Sequence, residues 1–123
     1  MSNRICCGRR SSVMDSSDRP IIGVVTLRPL PGREKDVEQA CRDAVRATHE
    51  ESGCQRFALH RLTTEGGGLA IIEKWASSQA LEEHLQSPAF ARLGDVLNDA
   101  LVGPPEFISL DPLVEGDPVL GVI

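Results

Sequence analysis

The chain has 123 residues, with 13 Lys and Arg against 18 Asp and Glu and a net charge of -5 at neutral pH. That length suits one domain of the usual ~100–200 residues, and the acidic balance argues against nucleic acid or an anionic membrane surface as the main partner, since both need a concentrated basic patch. Hydrophobic residues make up 41%, but one Trp, three Phe and no Tyr leave little material for a site of stacked rings.

Residues 1–19 are rich in Ser and Arg, contain no acidic group before Asp15 and show no helical or strand periodicity, so a disordered tail is expected. The apolar core of a secretory signal is missing from this stretch, and its basic, acid-poor start weakly resembles a transit peptide. A translation start at Met14 is the simpler expectation. Cys6 and Cys7 are adjacent, and Cys41 and Cys54 stand at a spacing that fits no zinc signature, which points to reduced cysteines in a cytoplasmic protein with no metal site. No run approaches the roughly 18 apolar residues of a membrane-spanning helix.

The main domain is expected over residues 20–112. Ile21 to Arg28 reads as a strand apolar on both faces, stopped by Pro29, Pro31 and Gly32. From Arg33 to Glu51 the residues Val37, Ala40, Cys41, Ala44 and Val45 form one stripe of an amphipathic helix, with Gly53 placed to end it. Cys54 to Thr64 and Leu69 to Ala76 flank Glu65-Gly66-Gly67-Gly68, the pattern of a hairpin. Ser77 or Ser78 caps a short helix with an inward stripe of Leu81, His84 and Leu85, while Glu82 and Glu83 turn to solvent. Ser87-Pro88 starts another helix, predicted to bury Phe90, Leu93, Leu97 and Leu101, until Pro104-Pro105 ends it. Phe107 to Leu110 is a last strand, and residues 113–123 are apolar enough for an arm or an extra edge strand.

Strand, helix, strand, strand, helix, strand is the split βαβ order of a ferredoxin-like α+β domain, whose helices cover one face of a four-stranded antiparallel sheet. Here the strands also carry apolar residues on the other face: Ile22 and Val24 in the first, Ala70 and Ile72 in the third. Left bare, that face approaches the few hundred Å² of apolar patch that a soluble monomer tolerates. A homodimer with two sheets face to face is therefore predicted.

Gly53-Cys54, Phe57-Ala58-Leu59-His60-Arg61, Glu73-Lys74-Trp75, Ala80-Leu81, His84-Leu85 and Ser87-Pro88-Ala89-Phe90 together resemble the antibiotic biosynthesis monooxygenase domain of the dimeric α+β barrel superfamily. The resemblance spans about Ile21 to Pro112. It implies oxygenation of a quinol or a phenolic, polyketide-like aromatic substrate by molecular oxygen, without metal, flavin or other cofactor. Trp75, His84 and Glu73 are the implied catalytic residues: Trp75 offers a ring face and an N–H donor, Glu73 shares its strand face, and His84 is suited to accept a proton near neutral pH. Phe57, His60, Leu81, Phe90 and Ile71 are the implied substrate contacts. For each a plainer reading stays open: Trp75 and His84 as core residues, Glu73 as the partner of an Arg, His60 as a solvated or interface residue. Two departures narrow the chemistry. Phe57 stands where the family often has Tyr, and the first strand lacks the Asn that the haem-degrading branch uses. A dimeric binding or stress-response module without catalysis, and a haem-degrading enzyme, are the alternatives.

Overall fold

The computed structural model describes residues 19–123; the tail, Met14, Cys6 and Cys7 lie outside the described residues. The elements are β1 (Ile21–Leu27), α1 (Glu34–Thr48), β2 (Cys54–Arg61), β3 (Leu69–Trp75), α2 (Ser78–Leu85), α3 (Pro88–Leu97) and β4 (Glu106–Leu110). All sheet pairings are antiparallel and the spatial order is β2-β3-β1-β4, so the two most apolar strands occupy the middle. This is the expected α+β, ferredoxin-like arrangement, with a third short helix.

Residues 21 to 27 pair along their whole length with residues 75 to 69, Val25 facing Ile71 and Leu27 facing Leu69. Strand side chains alternate between faces, so Val25, Leu27, Leu69, Ile71, Glu73 and Trp75 point toward the helices. Leu27, Leu69, Ile71 and Trp75 are buried there with Phe57 of β2. On α1 the buried positions are Val37, Cys41, Ala44 and Thr48, spaced by three and four residues as one helix stripe. Full burial of a side chain such as Val37 contributes about 1.5–3 kcal/mol. Arg61 at the end of β2 reaches back to α1, its Nη2 lying 2.9 Å from Glu38 Oε1.

The serine caps form as expected. Ser77 Oγ accepts from the Ala80 N–H at 3.1 Å, and Ser87 Oγ accepts from the Phe90 N–H at 3.2 Å with Pro88 in the first turn. The glycines of the hairpin are required by its backbone, since Gly66, Gly67 and Gly68 have φ of 91°, 62° and 117°. Gly53 acts differently from the expectation. The helix ends at Thr48, ahead of it, and Gly53 is needed for a close crossing: a Cβ there would lie 2.3 Å from the Ala80 Cβ of α2.

A second correction concerns α3, which ends at Leu97 rather than running to Leu101. Leu101 instead forms a bridge with Pro29, held by Leu30 N–H to Ala100 carbonyl and Val102 N–H to Arg28 carbonyl bonds, both of 2.8 Å. Nor does the predicted stripe pack solid. Phe90 is 40% exposed, while Leu93, Leu97 and Leu101 are only partly buried, because they overhang a cavity. Residues 113–123 contain no strand; they fold as an arm in which Asp117 accepts the Val119 and Leu120 N–H groups.

Candidate active site

Between the helix-facing side of the sheet and α2 and α3 lies a cavity of about 710 Å³, within the usual range of small-molecule sites. Its wall is almost wholly apolar: Val25, Leu27, Phe57, Ile71 and Phe107 from the sheet, Leu81, Leu85, Phe90, Leu93 and Leu97 from the helices, and Pro104-Pro105 beyond them. The polar side chains in it are Glu73, His84 and Asn98, and among the described residues no Lys or Arg lines it. Gly23 makes part of this space, for a Cβ at that position would fall 2.7 Å from the Phe107 ring and 3.1 Å from Glu73 Cγ.

Four rings frame the polar end. The Trp75 and His84 centroids are 4.6 Å apart at an interplanar angle of 32°, with Phe57 at 5.4 Å and Phe90 at 5.5 Å from the imidazole. These separations are those of favourable aromatic pairs, so the ring of His84 is held on three sides. Its Nδ1 lies 3.0 Å from Glu51 Oε1. Trp75 is buried behind the cavity rather than on its wall, and its indole N–H donates to Glu73 Oε1 at 2.8 Å.

Glu73 is 3% exposed, and burial pushes its carboxyl above the ordinary carboxylate value. The Trp75 hydrogen bond and the charge of His84 act against that rise, while Glu51 adds to it. A buried carboxyl whose pKa is raised by desolvation, beside a histidine in an apolar cavity, is the kind of pairing that acid-base chemistry uses. Among the described residues the cysteines offer no comparable group. Burial holds the Cys41 thiol at about 11, and the Cys54 thiol is likewise raised by burial, so neither is a ready thiolate.

Of the residues singled out in the sequence, the fold brings together Glu73, Trp75, His84, Phe57, Ile71, Leu81 and Phe90 around this cavity. His60 goes elsewhere. It pairs across from Ala70 on the opposite sheet face, exposed, with Nδ1 3.1 Å from the Ala58 carbonyl. Glu51, Asn98 and Phe107 were not anticipated at the site. Phe107 was legible from strand alternation, since it shares the face of Val25, its partner in register. Glu51 and Asn98 lie just beyond helix ends, where the helical pattern carries no directional signal.

Residues 20–94, more than half the chain, match the family model for antibiotic biosynthesis monooxygenases. The chain belongs to this family. Rv0793 of Mycobacterium tuberculosis is 26% identical over 96 residues, covering 78% of this chain and 94% of its own. The Rv0793 structure superposes with a TM-score of 0.74 over 80% of this chain and 99% of that one. A Caulobacter crescentus structure assigned to the antibiotic biosynthesis monooxygenase family is 27% identical, with a TM-score of 0.73 and coverage of 80% and 93%. PA3566 of Pseudomonas aeruginosa, at 24% identity, a TM-score of 0.73 and coverage of 80% and 98%, shares the fold. The monooxygenase family match ends inside α3, so it contains Glu51, Glu73, Trp75, His84 and Phe90, and it leaves out Asn98 and Phe107.

Proposed function

We propose that this protein is a cofactor-independent monooxygenase that oxidises a quinol or a larger phenolic, polyketide-like substrate with molecular oxygen. The observation that carries this reading is the cavity itself: an apolar chamber whose few polar side chains include a buried carboxyl and a histidine. A phenol bound with its hydroxyl toward His84 would lose its proton to the imidazole. The phenolate is electron-rich enough to reduce oxygen directly, so the protein need only hold it, accept the proton and stabilise the anion. Atoms balance when the ring C–H para to the hydroxyl becomes a second carbonyl: phenol and O2 give quinone and water.

The lining also speaks to the substrate class. With no cation in the described wall, carboxylates, phosphates and the propionates of haem would enter without a counter-charge. The haem-degrading alternative is disfavoured on that ground. A neutral molecule with one ionisable hydroxyl suits the wall, and about 710 Å³ exceeds what a single ring fills, which favours fused rings or a ring bearing an apolar substituent. We further infer that the working unit is a homodimer through the uncovered sheet face, where Ile108 and Leu110 are 56% and 43% exposed beside half-buried Val24 and Ile72.

Oxygen uptake with a panel of alkylated and fused-ring hydroquinones and phenols, followed by mass analysis of the product, tests the activity. Uptake in wild type that carries one oxygen atom into the product is the expected result. Tight binding of the same compounds with no uptake over hours would instead establish a binding module.

A further inference from the structure

We propose that Glu51 is a positioning residue that keeps the proton of His84 on Nδ1, so that the lone pair of Nε2 remains for the cavity. The assignment deepens the reading of His84 as the base and rests on it for its catalytic consequence, while its geometry can be measured without any substrate.

Glu51 stands in the turn between α1 and β2, and both of its backbone polar groups are engaged. Its N–H donates to the Thr48 carbonyl at 3.0 Å, and its carbonyl accepts from the Cys54 N–H at 3.1 Å. Two residues later Gly53 passes against Ala80, which docks the turn on the helix that carries His84. The carboxylate then meets the imidazole, with Oε1 3.0 Å from Nδ1. An ionised carboxylate can only accept, so the nitrogen facing it must carry the hydrogen; in the neutral ring the other nitrogen is then the acceptor. Among the described residues nothing hydrogen-bonds to Nε2, and His84 lines the cavity.

Two features make this more than an incidental surface pair. The His84 side chain is 5% exposed and Glu51 23%, so the pair is largely withdrawn from water, the imidazole more than the carboxylate. The ring is also held by Trp75, Phe57 and Phe90, which oppose the half-turn that would exchange its nitrogens. The charged groups that face His84 are Glu51 from the turn and Glu73 from β3. α3 presents Phe90 and Leu93, and Glu82 and Glu83 on its own helix point to solvent. Once a proton reaches Nε2, the imidazolium sits beside the Glu51 charge, which favours the transfer.

Long-range proton–nitrogen NMR of the 15N-labelled full chain, above the pH at which histidines protonate, reads the tautomer directly; the His84 signals are assigned by their absence in His84→Gln. Wild type should show a protonated Nδ1 and a bare Nε2. Glu51→Gln, whose amide can donate as well as accept, should give a mixed or reversed tautomer, and Glu51→Asp, one methylene short, an intermediate one. A wild-type ring with its hydrogen on Nε2, or a Glu51→Gln spectrum identical to wild type, would overturn the proposal. In oxygen-uptake assays Glu51→Gln should lose on the order of 10-fold in kcat, less than the roughly 10²–10⁴ that a general base supplies, because the base itself remains. KM should change little, with partial rescue of kcat in Glu51→Asp. Unchanged kcat alongside a changed tautomer would remove Glu51 from the catalytic apparatus. Absence of uptake in wild type sinks the monooxygenase reading alone, and the tautomer assignment then stands or falls on the wild-type spectrum.

Discussion

Along β1 and β3, odd-numbered residues face the helices and even-numbered ones face away, and the two sets meet very different fates. Leu27, Leu69, Ile71 and Trp75 are at most 5% exposed, packed in a core of which Leu27 and Ile71 also line a chamber holding an acid and a histidine. Val24, Thr26 and Ile72 on the other face are only half-buried, Ala58 and His60 beside them are exposed, and β4 adds Ile108 and Leu110. Ile22 and the small Ala70 are the exceptions on that side, and Ile22 shows what covers it. Ile22 is buried opposite Lys74, whose Nζ donates to the Ile123 backbone oxygen at 2.6 Å, where the C-terminal arm folds back. One face of the sheet thus builds a site, and the other is a plate that lacks only a cover. The difference teaches that alternation of apolar residues marks both faces alike and does not say which of them the chain's own helices cover.

Breaking the helix-covered face should have the largest effect. Trp75→Ala removes the largest fully buried side chain and should cost about 3–5 kcal/mol, a large share of the ~5–15 kcal/mol that holds a domain together. Urea unfolding would register it as a lower midpoint. Trp75→Phe separates packing from hydrogen bonding, because it keeps a ring while leaving Glu73 without its N–H donor; a midpoint equal to wild type would mean that the bond contributes nothing to the fold. Next comes His84→Ala. If the imidazole is the base, oxygen uptake should fall by roughly 10²–10⁴, and equal rates in both proteins would take His84 out of the mechanism.

The plate is tested by charge. Ile72→Lys together with Ile108→Lys should halve the mass seen by light scattering at micromolar concentration, since a charge placed in an apolar interface has no partner there. The cavity lies on the far side of the sheet, so the far-ultraviolet spectrum should be unchanged. A stable wild-type monomer under the same conditions would refute the dimer outright.

These predictions also mark where the sequence was informative. The stripe Val37, Cys41 and Ala44, the caps Ser77 and Ser87, and the glycines of the hairpin were legible because each is enforced by local geometry that a single segment displays. The strand order followed from the element order. The site was half legible: Glu73 and Trp75 share a strand face and His84 an inward helix stripe, so periodicity brings them together. Glu51 was not, because its role depends on where a turn lands once Gly53 has crossed Ala80. The stripe of Phe90, Leu93 and Leu97 reads as core for a related reason, since a stripe that lines a cavity and one that packs solid have the same period. His60 shows the converse. Its place beside other motif residues suggested the pocket, but its even position on β2 turns it to the plate.

The finest test of the contrast between the faces is the pH dependence of stability at Glu73, among the described residues the one carboxyl buried on the helix side. Burial raises its pKa in the folded protein, whereas in the unfolded chain a Glu titrates near 4.3. Below that value both states hold the proton and stability is complete. As pH rises the unfolded chain releases its proton first, so the folded state binds more protons and stability falls until the folded carboxyl has also ionised; above that point the loss is constant. Glu73→Gln removes this slope and keeps an oxygen to accept the Trp75 N–H. The difference in melting temperature between variant and wild type should therefore grow in the variant's favour from acid toward neutral pH and then level off. A difference that stays flat, or that turns against the variant as pH rises, would mean that Glu73 is better satisfied as an anion than its surroundings imply, with His84 as its counter-ion. In that case the cavity would present a fixed ion pair to its ligand instead of a carboxyl able to exchange a proton.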